Sequence, residues 1–273
     1  MTGRKNVLQS VARTGFFTKG LVYCLIGLLA FMSAFGLKGQ RVEDSDRSGV
    51  FNLILDQPLG KVILSLIAAG LLCYSGWRLL QAFLDTEQKG NDMKGLGSRA
   101  AYLFSALSYL LFAVLAASSV LGSGGKSSGG GSSGQTLAQK VLEQPGGQWW
   151  LLLIALFFVG LGLHQLWYGN SEKYKKSLDV RALDEKASAS LLRAGKIGHI
   201  ARGIVWLIIA FFFFKAGIHQ NAAEAGDTTN VFRFVYDSPY GKYLLAALGA
   251  GLVCYGVMNF IRAVFERLNT GRT

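Results

Sequence analysis

Asp56-Gln-Pro-Leu-Gly-Lys61, Glu143-Gln-Pro-Gly-Gly-Gln148 and Asp237-Ser-Pro-Tyr-Gly-Lys242 are three copies of one short signature. Between them they hold the three prolines of the 273-residue chain, Pro58, Pro145 and Pro239, which stand 87 and 94 residues apart. A signature returning at near-constant spacing marks one structural unit written three times. The units run over residues 10–90, 96–178 and 193–268 of a single transmembrane domain.

Upstream of each proline an apolar pattern recurs. Val50, Phe51, Ile54 and Leu55 correspond to Leu137, Ala138, Val141 and Leu142, and then to Val231, Phe232, Val235 and Tyr236. This i, i+1, i+4, i+5 spacing is one face of a short helix, with polar Asn52, Gln139 and Arg233 opposite. Too short to span, such a helix is expected to lie along the outer membrane surface. The proline is then expected to open the next helix, where its missing N–H is harmless, with Ser238 as an N-cap. Gly60, Gly147 and Gly241 would permit tight packing at that turn.

Downstream, the chain is too apolar for a soluble protein of this charge pattern. Hydrophobic residues make up 51% and charged ones 16%, and the charges are swept out of long stretches. A helix needs about 20 mostly apolar residues to cross ~30 Å of hydrocarbon. Six runs qualify, near residues 14–37, 59–84, 98–122, 146–169, 196–218 and 240–261. The fifth is short, because 12 uncharged residues separate Arg202 from Lys215, so its end charges are expected to snorkel. The first run is too long for the apolar core of a signal peptide and reads as a retained span.

Basic residues set the orientation. The amino terminus, the 2–3 and 4–5 connectors and the carboxyl terminus hold 19 of the 28 lysines and arginines, while the 16 acids divide equally between the two sides. The positive-inside rule therefore places both termini in the cytoplasm of a multi-pass protein of the cell membrane. A nucleic-acid partner is not expected, since the basic residues are scattered along membrane flanks without a recognition module.

Small residues recur along the spans every seven positions. Ala68, Ser75 and Ala82 correspond to Ala155, Gly162 and Gly169 and to Gly249, Gly256 and Ala263; the odd spans carry Gly20 and Gly27, Ala106 and Ala113, Gly203 and Ala210. In lipid, such stripes let helix backbones approach closely. The expected fold is an all-α membrane protein of six transmembrane helices in three parallel two-helix repeats. Each repeat is a hairpin with a short exterior amphipathic helix, and the hairpins are arranged as a pseudo-threefold bundle.

The segment Arg13-Thr-Gly-Phe-Phe-Thr-Lys-Gly-Leu-Val-Tyr23, its counterparts at Arg99–Tyr109 and Lys196–Trp206, and the acid-x-Pro-x-Gly-Lys turns resemble a family of bacterial membrane proteins known as domain of unknown function 1206. The resemblance covers almost the whole chain and implies tandem two-span repeats without implying a mechanism. The second copy departs most, with Ser105 for Lys19, Gln148 for Lys61 and a Gly/Ser tract at residues 123–134 that reads as a linker.

Residues that carry chemistry are sparse. His164, His199 and His219 are not at helical i, i+3 or i+4 spacing, so they form no one-helix haem or zinc site and are expected to serve packing. Cys24, Cys73 and Cys254 fall within spans and act as small apolar residues. No catalytic residue, cofactor or metal is assigned. The expected function is a non-enzymatic membrane scaffold with an envelope protein partner. The alternative is a transporter or channel along the pseudo-threefold axis, gated by an exterior charged ring of Asp56, Lys61, Glu143, Asp237 and Lys242 that the second repeat breaks, because Gln148 cannot pair as a cation. Lys19, Arg78 and Arg202, set inside helix ends, are expected to bind anionic membrane lipids in clefts between hairpins.

Overall fold

A computed structural model of the chain describes residues 2–37, 42, 50–51, 54–55, 58–84, 90, 92–121, 132–171 and 185–265. Asn52, Asp56, and residues 122–131 of the connector that holds the Gly/Ser tract lie outside them. The helices are α1 (Thr2–Ala34), α2 (Gly60–Leu84), α3 (Met93–Val120), α4 (Ser133–Leu142), α5 (Gly147–Asn170), α6 (Glu185–His219), α7 (Thr228–Tyr236) and α8 (Gly241–Phe265). Six of them are long and apolar enough to cross a membrane, over Ala12–Ala34, Gly60–Leu84, Gly95–Val120, Gly147–Asn170, Ser190–His219 and Gly241–Phe265. The chain is an all-α multi-pass membrane protein.

The small-residue stripes meet, but across repeat boundaries. Gly20 lies on Gly256 and Gly27 on Gly249, joining α1 to α8; Gly162 lies on Gly203, joining α5 to α6. At the equivalent α2–α3 boundary the Ser75 hydroxyl donates to the Ala106 carbonyl at 2.7 Å. These three boundaries are the most extensive helix pairs among the described residues. The stripes therefore knit one repeat to the next and close the end of the chain onto its beginning, a choice of partner that the period leaves open. The physical reason is the angle between faces: each span has a stripe for the neighbouring repeat and a different face for its own partner.

Hairpin contacts use other glycines. Gly15 lies against Tyr74 and Gly70 against Thr18 in the first repeat, and Gly198 against Tyr255 and Gly251 against Ala201 in the third. In the second repeat the corresponding positions are Phe157 for Gly70 and Phe104 for Thr18, and the two rings meet edge-on at 4.8 Å. Two phenyl rings where the other hairpins place a glycine hold α3 and α5 apart. The third and fourth spans are accordingly the least buried of the six. The bundle is a pseudo-threefold ring with one loosened hairpin.

The short helices follow the expected amphipathic pattern. Val50, Phe51 and Ile54, then Ala138, then Val231 and Phe232 are buried, while Leu137 and Tyr236 remain exposed at the two edges of the face. Both complete short helices have capping boxes, Ser132 with Gln135 and Asp227 with Asn230.

The proline turns differ in detail from expectation. The Gly147 amide donates to the Gln144 carbonyl at 2.9 Å and the Gly241 amide to the Ser238 carbonyl at 2.8 Å. Pro145 and Pro239 thus occupy the second position of a turn before the helix, not the first helical turn, and the residue after each of the three prolines is left-handed: Leu59 at φ 64°, Gly146 at φ 72° and Tyr240 at φ 61°. This is the type II arrangement. Ser238 is not an N-cap; its hydroxyl donates to the Val235 carbonyl at 2.6 Å. A Cβ at Gly60, Gly147 or Gly241 would strike the backbone carbonyls of Ile54, Val141 or Tyr236, so glycine here is required by the close approach of the short helix. Left-handed Leu59 and Tyr240 are strained, by about 1–2 kcal/mol for a residue with a Cβ. Leu59→Gly and Tyr240→Gly are each expected to raise stability by about 1 kcal/mol and Gly146→Leu to lower it by a similar amount, read as the thermal midpoint in mild detergent.

Candidate functional site

Lys19, Arg78 and Arg202, singled out in the sequence as cations inside helix ends, converge in the half of the bundle where the odd spans begin. Lys19 lies seven residues into its span and Arg78 six residues before the end of α2, so both sit about 10 Å from that end. Lys19 is only 4% exposed. It faces the interior of the ring and not an outward cleft between hairpins.

Tyrosines receive these cations. Lys19 Nζ donates to the Tyr74 hydroxyl at 3.1 Å, and Arg78 Nε donates to the same oxygen at 2.9 Å. Arg78 also donates to Gln81 Oε1 at 2.8 Å. The ammonium group lies 5.0, 5.6 and 5.2 Å from the ring centres of Tyr74, Tyr109 and Tyr255, drawn from α2, α3 and α8. Arg202 spreads over the rings of Tyr23, Tyr255 and Trp206 at 4.6, 5.0 and 5.4 Å. It turns inward instead of snorkelling, because aromatic faces within reach stabilise a desolvated guanidinium by about 2 kcal/mol. At the other end of α6, Lys215 reaches Glu224 at 3.6 Å. Arg262, near the end of α8, stands 4.4 Å over the Phe16 ring.

Repeat symmetry organises the cluster. Tyr74 on Tyr109 at 4.6 Å across the α2–α3 boundary is matched by Tyr255 on Tyr23 at 4.9 Å across α8–α1. Phe16 on Tyr74 at 5.7 Å is matched by His199 on Tyr255 at 5.3 Å. His199, 3% exposed, bonds through Nδ1 to Gln165 Oε1 at 2.7 Å, the repeat equivalent of Arg78 beside Tyr102. His164 stacks on Tyr168, and His219 meets Glu224 at 2.7 Å. The histidines are thus distributed between packing and surface pairing, and no group of three His, Cys, Asp or Glu able to hold a metal occurs among the described residues. Arg99, in the recurring segment before each odd span, donates to the carbonyls of Ala82 at 2.7 Å and Phe83 at 3.3 Å and so caps α2 across the repeat boundary.

The opposite half of the bundle carries two apolar repeat layers. Leu64, Leu151 and Leu245 hold one repeat position and are each 0% exposed; Leu71, Phe158 and Leu252 hold another and are buried in the same continuous core. The motif charges near that end do not form a ring among the described residues. Asp237 lies 4.0 Å from Arg233 of its own helix, Lys242 is over the ring of neighbouring Tyr243, Glu143 accepts from Gln139, and Lys61 is exposed.

These three tandem two-span units coincide with the family profile of a Domain of Unknown Function, DUF1206, which matches residues 14–85, 100–171 and 197–266. The chain belongs to the DUF1206 family. It is 31% identical over 261 residues to the uncharacterized protein YxxB of Bacillus subtilis (strain 168), an alignment covering 96% of this chain and 92% of the relative. No solved structure matches it. Membership accounts for the repeat and leaves the cationic cluster of this DUF1206 protein without an assigned role.

Sequence reasoning found the three cations but missed Tyr74 and Tyr255. A signal was present, since both stand sixteen residues after their prolines.

Proposed function

We propose that this protein is a non-enzymatic, non-conducting membrane scaffold whose termini face the cytoplasm and whose partner is another envelope component, not a nucleic acid. The observation that supports a scaffold over a transporter is the pair of fully apolar repeat layers, Leu64/Leu151/Leu245 and Leu71/Phe158/Leu252, opposite the cationic cluster. An ion or polar solute following the axis would have to cross them without a polar partner, which costs several kcal/mol per group. The cations of the cluster are engaged by ring faces and tyrosine oxygens, an arrangement suited to holding a bundle together. Orientation rests on the 19 basic residues of the terminal side.

Reconstituted liposomes test the reading. Flux of ions and small metabolites is expected to equal that of empty vesicles, and saturable uptake of any solute would replace the scaffold by the transporter. For orientation, Gln144→Cys in a background without Cys24, Cys73 and Cys254 is expected to react with an impermeant thiol reagent from outside the cell. Labelling only after the cytoplasmic face is opened would invert the assignment.

A further inference from the structure

One repeat position holds Lys19 in the first unit, Ser105 in the second and Arg202 in the third. The pseudo-threefold cluster therefore has two long cations and, at the third place, a hydroxymethyl group. The second unit thus brings no cation to this position. The two cations meet only neutral acceptors and ring faces among the described residues. Arg202 Nε is buried and has no hydrogen-bond partner, although an arginine keeps its charge and offers five donors. Lys19 donates to a neutral hydroxyl, that of Tyr74, at 3.1 Å. Among the described residues no Asp or Glu joins Lys19, Arg78 or Arg202. Ring faces offset some of the desolvation of buried cations, but a carboxylate or phosphate does so far better, by charge-assisted bonds.

We propose that the place beside Ser105 is an oxyanion site, taking a phosphate group between Lys19 and Arg202 with the Ser105 hydroxyl as a further donor. The phosphate is that of an anionic lipid or free phosphate; both share the chemistry. Access is through the loosened second hairpin, where Phe104, adjacent to Ser105, and Phe157 hold α3 and α5 apart. The site is independent of the scaffold reading.

The test uses the full chain in mild detergent. Native mass spectrometry of the wild type is expected to show one retained phosphate-bearing species, whose mass distinguishes lipid from free phosphate. After delipidation, the thermal midpoint is titrated with sodium phosphate, phosphatidylglycerol and, as a control, phosphatidylcholine. A rise with phosphatidylglycerol alone identifies the lipid; a rise with phosphate as well identifies the oxyanion as sufficient. Ser105→Glu supplies a carboxylate from the chain itself, so it is expected to fold, to retain about tenfold less anion and to lose the midpoint response, whereas Ser105→Ala, which removes one neutral donor, weakens both by only a few-fold. Arg202→Gln is expected to lose retention to the same extent. A wild type with no adduct and no response to phosphate or phosphatidylglycerol overturns the site, as does a folded Ser105→Glu variant that retains the wild-type amount. Should Ser105→Glu not fold, the wild-type titration alone decides.

Discussion

Gly27→Leu is expected to abolish recovery of monodisperse protein. A Cβ at Gly27 would come within 2.5 Å of the Gly249 carbonyl oxygen and 2.7 Å of the Val253 amide nitrogen, and one at Gly249 would lie 2.7 Å from the Gly27 carbonyl oxygen. These are backbone atoms of both helices, so no rotamer change relieves the clash and α1 and α8 must separate. That boundary joins the first and third repeats and closes the ring. Lipid tails are as apolar as leucine, so nothing compensates for the lost contact between backbones. The cost is about 3 kcal/mol or more, a large fraction of the stability of an ordinary domain. Gly76→Leu, at a position where a Cβ meets nothing within 4 Å, serves as the control and is expected to change stability by less than about 0.5 kcal/mol. Size-exclusion chromatography and thermal unfolding check the pair. A Gly27→Leu variant with the wild-type midpoint would remove the α1–α8 seam as the closure of the ring.

Tyr74→Phe is the second substitution with a large expected effect. One oxygen, in a side chain that is fully buried, accepts from both Lys19 and Arg78. The phenylalanine ring preserves packing and the cation–π geometry but takes the Tyr74 oxygen from buried Lys19 and leaves Arg78 with Gln81. Loss of a neutral acceptor by a buried charge costs about 2–3 kcal/mol. Lys19→Met in the same chain removes that charge while keeping a flexible apolar stem, so the double variant is expected to recover about 1.5 kcal/mol relative to additivity. A double-mutant cycle on detergent-solubilised protein measures that coupling. Strict additivity would mean that the Lys19–Tyr74 bond does not stabilise the bundle.

The two variants probe different links from sequence to structure. Gly27 belongs to a stripe visible as a seven-residue period in the chain, whereas Tyr74 is ordinary in its local context and acquires its role from Lys19, 55 residues away. The candidate site was legible to that extent. Lys19, Arg78 and Arg202 were found because ionisable residues inside apolar runs are rare, and their partners were not, because an aromatic inside a span is by itself a packing residue.

What the sequence by itself determined is everything that depends on local composition and period. Six spans follow from the length of apolar runs, three units from the recurring proline turns, the surface helices from i, i+1, i+4, i+5 faces, and the family from the segments Arg13–Tyr23 and their counterparts. What only the tertiary structure decided is which faces meet. A small-residue stripe specifies that a backbone will approach it and carries no information on whose, so the pairing of α1 with α8, α2 with α3 and α5 with α6 could not be read from the period. The same holds for the loosened second hairpin. Phe104 and Phe157 are common apolar residues in sequence, and they push α3 and α5 apart only because the fold sets them at the places where the other repeats have Thr18 with Gly70 and Ala201 with Gly251.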